Sequence, residues 1–348
     1  MARRTRRRLG LVTLLLLALA LSVFSPGSAA VQPLPATGGE LSVDFHADSC
    51  PQLEAIVSSA VHDALRQNVH LTAGLLRIYF HDCFPQGCDA SVLLKGDGSE
   101  QSMGPNTTLQ PRALQLIEDI RAEVHDACGP TVSCADITAL ATRDAVVASG
   151  GPSYAVHLGH LDSLAPASGE DVGDLPSPTT ASVHALLDAF SSRGLNKTGD
   201  LVSLSGAHTV GKARCVSFAD RAARGGDTFA KKLAANCSRD HNRLQNLDVR
   251  TPDAFDNAYF VDLTFNQGVF TSDMALVKNH STARFVTKFA KSKDAFFARF
   301  AKSMVKLSRV PRKPAGNVGE IRRNCFRTNA QTILDGVVDD ASGERLAA

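Results

Sequence analysis

A chain of 348 residues, 44% of them hydrophobic, can bury a sizeable core, and its 37 Lys and Arg nearly balance its 35 Asp and Glu. That balance leaves no basic excess of the kind nucleic acid or an anionic membrane calls for, and no repeat or low-complexity tract points to a solenoid. Five arginines crowd into residues 3–8, ahead of an apolar run from Leu9 to Phe24 and the small residues Ser28 and Ala30. This is the pattern of a secretory leader over 1–30, since the apolar run falls short of the ~18 residues that span a bilayer. Removing it takes the net charge from +2 to about −3, so neither nucleic acid nor membrane is an expected partner of the mature chain. Eight cysteines in an exported chain read as four disulfides, with on the order of a hundred pairings open.

Residues 31–40, rich in Pro and Gly, lead into Leu41–Pro51 and then a helix marked by Leu53, Ile56, Val57, Ala60, Val61 and Leu65 at helical spacing. A second, buried helix is predicted from Leu71 to Phe80, and its continuation sets Arg77 and His81 four residues apart on one face. An imidazole that can take and return a proton, beside a fixed cation, suits heterolysis of a peroxide O–O bond. A core histidine with a snorkelling arginine would look the same. Asp82, Gly87, Asp89 and Ser91 follow on what reads as a tight loop with Cys83 and Cys88, either a Ca²⁺ site of hard oxygen ligands or a solvated turn. Further helices are predicted over Pro111–Ala127, Ala135–Ala148 and Asp294–Leu307, the last with a core face of Phe296, Phe297, Phe300, Met304 and Leu307. Strand signals are sparse, which favours an all-α fold. Sequons stand at Asn106, Asn196, Asn236 and Asn279.

The run Arg77-Ile78-Tyr79-Phe80-His81-Asp82-Cys83-Phe84 through Gly87-Cys88-Asp89-Ala90-Ser91 resembles the distal haem segment of the secretory plant (class III) peroxidases. Asp200-Leu201-Val202-Ser203-Leu204-Ser205-Gly206-Ala207-His208-Thr209-Val210-Gly211 resembles their proximal signature, and Leu41–Pro51 their opening run. The likeness covers nearly the whole mature chain. It implies a mainly helical, two-lobed haem peroxidase fold over 41–330, with a distal lobe at about 41–180, a proximal lobe at about 181–310, a closing segment to 330 and a tail at 331–348.

The resemblance implies one haem b between the lobes, with His208 as axial ligand, Asp273 bonded to its far nitrogen, His81 as acid–base group, Arg77 as charge stabiliser and Phe80 as a screen. Asn106 would fix the tautomer of His81, a role that excludes a sugar at that sequon. It also implies two Ca²⁺ ions. The distal one takes Asp82, Pro85 and Gly87 (by carbonyls), Asp89, Ser91 and, through water, Glu100; the proximal one takes Thr209, Asp248, Thr251, Ala254 and Asp256. Pro176 falls at the mouth of the aromatic-donor site. The implied disulfides are Cys50 to Cys128, Cys83 to Cys88, Cys134 to Cys325 and Cys215 to Cys237. The expected activity is reduction of hydrogen peroxide with one-electron oxidation of small phenols by a secreted, monomeric enzyme of the cell wall or vacuole. The alternative is a secreted haem-binding or calcium-stabilised protein of this fold with little turnover.

Several residues depart from the family pattern: His46 for a tyrosine, Pro85 for a valine, Tyr154 for a tryptophan, His160-Leu161 for two arginines and Leu247 for an aromatic. Asp136 ordinarily pairs with the first of those arginines. If Asp136 is buried, His160 must be protonated to replace it, and stability should fall above neutral pH.

Overall fold

The computed structural model describes residues 40–224, 226–313 and 318–332; the expected leader and most of the expected tail lie outside them. Helix α1 (Leu53–Gln67) buries Leu53, Val57 and Val61, each four residues from the last, so one stripe faces inward. Helix α2 (Leu71–Gln86) is buried on nearly every side. Pro111 opens α3 (Pro111–Cys128), where its missing N–H costs no hydrogen bond, and Gly129 ends it at φ +69°. Ser133 caps α4 (Cys134–Ala148) by accepting from Asp136 N–H. Helix α4 packs on α1, α2 and α3, which explains why it is buried on most of its sides and carries no single inward stripe.

The expected end of the second helix needs correction. It continues past Phe80 to Gln86, through Pro85. A proline in the last turn removes only one helical bond, the one to the His81 carbonyl, so the turn survives. The helix stops at Gly87, where φ is +95° and a Cβ would come within 2.9 Å of Arg312 Cα. Asp82 is therefore a helical residue, and only the residues after Gln86 form the loop.

Short helices α5 (Gly169–Gly173), α6 (Val183–Ser191) and α7 (Thr198–Ser205) lead to a 3₁₀ turn at Gly206–Thr209. Next come β1 (Lys212–Arg214), α8 (Ala219–Arg224), α9 (Thr228–Cys237) and β2 (Leu244–Asn246); the strands pair antiparallel, Lys212 opposite Asn246. They enclose a small core of their own with Phe218, Leu233, Leu247 and Phe270. The chain then forms α10 (Ala258–Thr264), α11 (Thr271–Lys278), α12 (His280–Lys291) and α13 (Lys293–Leu307). Phe255, Phe260, Phe289, Phe296 and Phe300 are buried together in the main core, each contributing roughly 1.5–3 kcal/mol by burial. The predicted mainly helical fold is what the structure contains, with aromatic residues of the last helix in the core.

The structure joins Cys50 to Cys128, Cys83 to Cys88, Cys134 to Cys325 and Cys215 to Cys237. The third bridge ties the start of α4 to the closing segment, where the fully buried Arg322 donates to Ala90 and Cys325 carbonyls. No described helix is long and apolar enough to cross a membrane.

Candidate active site

His81 stands in the penultimate turn of α2 and is partly exposed. Its Nδ1–H donates to Asn106 Oδ1 at 2.6 Å, and Asn106 is 1% exposed at the end of a 3₁₀ turn over Gly104–Asn106. The acceptor fixes the tautomer, leaving Nε2 with a free lone pair. Desolvation, reinforced by the Arg77 cation and opposed by the Asn106 bond, pulls the His81 pKa down to about 3, so the ring is neutral over any ordinary working range. Arg77 lies one turn earlier on the same face. Its guanidinium is held by two carbonyls, Thr108 O at 2.9 Å and Pro105 O at 2.8 Å. The segment that orients His81 therefore also anchors Arg77. Phe80, half-buried, packs on Phe84 and Phe190 with ring centroids 4.9 and 6.2 Å away.

His208 lies on the 3₁₀ turn after α7. Gly206 is required there, because a Cβ would come within 2.4 Å of the Phe296 ring. His208 Nδ1–H donates to Asp273 Oδ1 at 2.9 Å; the imidazole is 34% exposed, whereas the carboxylate is 2% exposed. Asp273 Oδ2 accepts from Phe270 N–H at 2.8 Å. Both histidines thus have Nδ1 tied inward, and among the described residues neither Nε2 has a hydrogen-bond partner. Two imidazoles so constrained, one beside a cation and one on a carboxylate, fit the acid–base and axial-ligand sides of a haem pocket. Pro176 is half-buried, and its segment is tied to the start of α11 by Ser272 N–H to Pro178 O at 3.0 Å.

The residues expected to bind calcium form two clusters. In the first, Asp82 Oδ2 accepts from Asp89 and Ala90 N–H, and Asp89 Oδ1 from Ser91 N–H. Ala90 adopts the left-handed conformation, φ +55°, held by that bond and by Arg322 on its carbonyl. Three buried oxygens here, Asp82 Oδ1, Ser91 Oγ and Glu100 Oε2, have no hydrogen-bond partner. Burial, then the Asp89 charge, pushes the Asp82 carboxyl well above its ordinary value; burial likewise raises Asp89 and Glu100. Such orphaned oxygens are what a cation would satisfy. In the second cluster Thr209 Oγ1 reaches Asp248 Oδ2 at 2.9 Å and Asp256 Oδ1 at 3.3 Å, and Thr251 Oγ1 is buried without a partner. Asp248 Oδ1 accepts from Thr251 N–H, and Ala254 N–H closes the same turn on Thr251 O. Among the described residues no three His, Cys, Asp or Glu side chains converge as a metal site, so a cation in either cluster would also need Ser or Thr oxygens or backbone carbonyls.

Three participants escaped the sequence. Tyr259 donates its hydroxyl to Asp273 Oδ1 at 2.9 Å; the only available signal was that a buried tyrosine needs a partner. Phe270, not Leu247, sets its ring edge-on to His208, centroids 5.2 Å apart. His46 joins His160 on Asp136, which is 1% exposed: His46 Nε2–H donates to Oδ2 at 2.9 Å and His160 Nδ1–H to Oδ1 at 2.8 Å. His160 Nε2 faces Ser308 O at 2.9 Å, so both its nitrogens meet oxygens that only accept, an arrangement that favours the doubly protonated ring. Two departures from the family pattern thereby compensate each other at one carboxylate. Tyr154 leaves its hydroxyl buried without a partner.

Cavities of about 260 Å³ between α1 and α3 and about 210 Å³ behind Asn106 have neither histidine in their walls. The peroxidase family model matches residues 57–292. Cationic peroxidase SPC4 of Sorghum bicolor is 48% identical over 330 residues, 90% of each chain. Peroxidase 66 of Zea mays is 45% identical over 85% of this chain and 92% of its own, and Peroxidase 12 of Arabidopsis thaliana 44% identical over 84% of each. With a family match over most of its length and plant relatives this similar, the chain belongs to the peroxidase family, within the class III plant group, and is a haem peroxidase.

Proposed function

We propose that this peroxidase holds one haem b between His81 and His208, binds two Ca²⁺ ions, and reduces hydrogen peroxide at the expense of small phenolic or aromatic donors. The observation that carries the reading is the matched restraint of the two imidazoles: Nδ1 of His81 on a neutral amide and Nδ1 of His208 on a carboxylate, both at 2.9 Å or less. Haem iron, when bound, supplies the two-electron reduction of peroxide and takes the electrons back singly from donors.

The chain's own residues divide the remaining work. His81 Nε2 takes the proton from the inner peroxide oxygen and returns it to the outer one, which leaves as water. Arg77 stabilises negative charge on the departing oxygen. His208 Nε2 would hold the haem iron, with Asp273 drawing the Nδ1 proton and raising the basicity of the ring. Phe80 would screen the haem from bulky donors, and Pro176 would lie where small phenols bind. The orphaned oxygens of Asp82, Ser91, Glu100 and Thr251 support the two calcium sites. The Arg-rich, apolar first thirty residues support export, and the four disulfides suit an oxidising compartment such as the wall or vacuole. We take the domain to run over 41–330.

The test is the absorption spectrum of the purified protein before and after peroxide, followed by guaiacol oxidation. A Soret band that changes on adding peroxide and returns with guaiacol is expected. A Soret band with no turnover would favour the haem-binding alternative.

A further inference from the structure

We infer that Tyr259 is a positioning residue of the proximal site that restrains how strongly Asp273 acts on His208, and so holds the iron's reduction potential higher than the carboxylate alone would set it. The inference rests on His208 as the axial ligand and adds a residue to that site.

Asp273 Oδ1 accepts two hydrogen bonds, from His208 Nδ1 and from Tyr259 Oη, each at 2.9 Å. The other oxygen takes Phe270 N–H at 2.8 Å. A carboxylate only accepts, so the tyrosine hydroxyl must donate. Tyr259 is 1% and Asp273 2% exposed, so water does not compete for these bonds, and charge-assisted bonds of this kind are strong in a poorly polarisable interior. Two donors on one oxygen share its electron density. The more Tyr259 takes, the less is left to draw the proton from His208 Nδ1, and the less electron-rich Nε2 becomes. The tyrosine ring also stands edge-on to the imidazole, interplanar angle 85°, with Phe270 edge-on as well. Rotation of His208 is thus blocked by two rings while one hydroxyl adjusts its basicity. Of the chain's three tyrosines, Tyr79 and Tyr154 make no hydrogen bond to this carboxylate.

The sign of the effect separates tuning from support. If Tyr259 only packed, its loss would loosen the His208–Asp273 bond and raise the potential. If it shares Oδ1, its loss strengthens that bond and lowers the potential. The Fe(III)/Fe(II) midpoint of the haem-loaded full chain would be measured by spectroelectrochemistry, with the iron–histidine stretch followed by resonance Raman. Tyr259→Phe should lower the midpoint and raise the stretch, and 3-fluorotyrosine at 259, a stronger donor of nearly the same shape, should do the reverse. In an Asp273→Asn background the Tyr259→Phe shift should vanish. An unchanged or raised midpoint in Tyr259→Phe, or an unshifted fluorotyrosine protein if that variant does not load haem, overturns the inference. Asp273→Asn alone must raise the midpoint; if it does not, the axial role of His208 is what has failed.

Discussion

The two histidines use the same ring atom to opposite ends. On the distal side His81 Nδ1 donates to a neutral amide, which fixes a tautomer and gives little charge, and a nearby arginine makes protonation harder still. On the proximal side His208 Nδ1 donates to a buried carboxylate, which pushes electron density toward Nε2. A base must release the proton it takes, whereas a ligand must give density and keep it. In the proposed division of labour, the choice of acceptor, amide or carboxylate, separates the two roles.

The largest effects should come from removing the distal pair. His81→Ala is expected to slow the peroxide step by about 100- to 10,000-fold and Arg77→Ala by about 100- to 1,000-fold, both read by stopped-flow absorbance with haem content unchanged. A slowing of less than tenfold for His81→Ala would break the contrast. Because its pKa lies near 3, the wild-type peroxide rate should stay flat as the pH falls from neutral and drop only as pH approaches that value. An inflection near 6 would mean the arginine and the burial do not act as described.

Metal removal tests the framework under both sides. If the two carboxylate clusters with buried orphan oxygens hold cations as proposed, chelator should lower thermal stability, by about 3 kcal/mol for each site at which calcium had stood at a hundredfold excess over its Kd. Calorimetry with metal analysis checks this, and an unchanged melting curve after verified removal of calcium would contradict it. A smaller effect sharpens the distal half of the comparison: Asn106→Val should cost about 10- to 100-fold in the peroxide rate while leaving the iron–histidine stretch unmoved.

The smallest effect lies away from both rings, at Asp136. Burial opposes ionisation there, but hydrogen bonds from His160 and His46 outweigh it and bring the Asp136 pKa to about 2. For His160, burial would lower the pKa, yet Asp136 raises it above the ordinary 6.5. The sign follows for each. His160 contributes fully below 6.5 and its contribution is lost as pH rises through its higher folded value. Asp136 contributes above about 4 and loses this as pH falls toward 2. Wild type should thus melt a few degrees lower at pH 9 than at pH 6, and His160→Arg should flatten that alkaline decline, in melting curves from pH 5 to 9. Parallel profiles for the two proteins would dismiss the pair as the cause.

Much of the proposed site is legible in the chain because its residues are close in sequence. Arg77 and His81 share a helix face by spacing alone, and the contiguous runs 77–91 and 200–211 carry the family's pattern. What could not be read depends on elements that meet only in three dimensions. Tyr259 on α10 finds Asp273 on α11, and His46, ahead of α1, finds Asp136 on α4, 90 residues away. Nothing in local propensity encodes either meeting. The overrun of α2 has a different origin: the helix runs on through Pro85, which in a final turn removes only a single bond.

The most direct test of the division between the two imidazoles is iron ligation in the paired variants His208→Ala and His81→Ala of the haem-loaded protein, followed by resonance Raman and absorption. The account predicts that His208→Ala loses the iron–histidine stretch and regains a ligand when imidazole is added, while His81→Ala keeps the stretch and loses the fast reaction with peroxide. Retention of the stretch in His208→Ala, or its loss in His81→Ala, would contradict it.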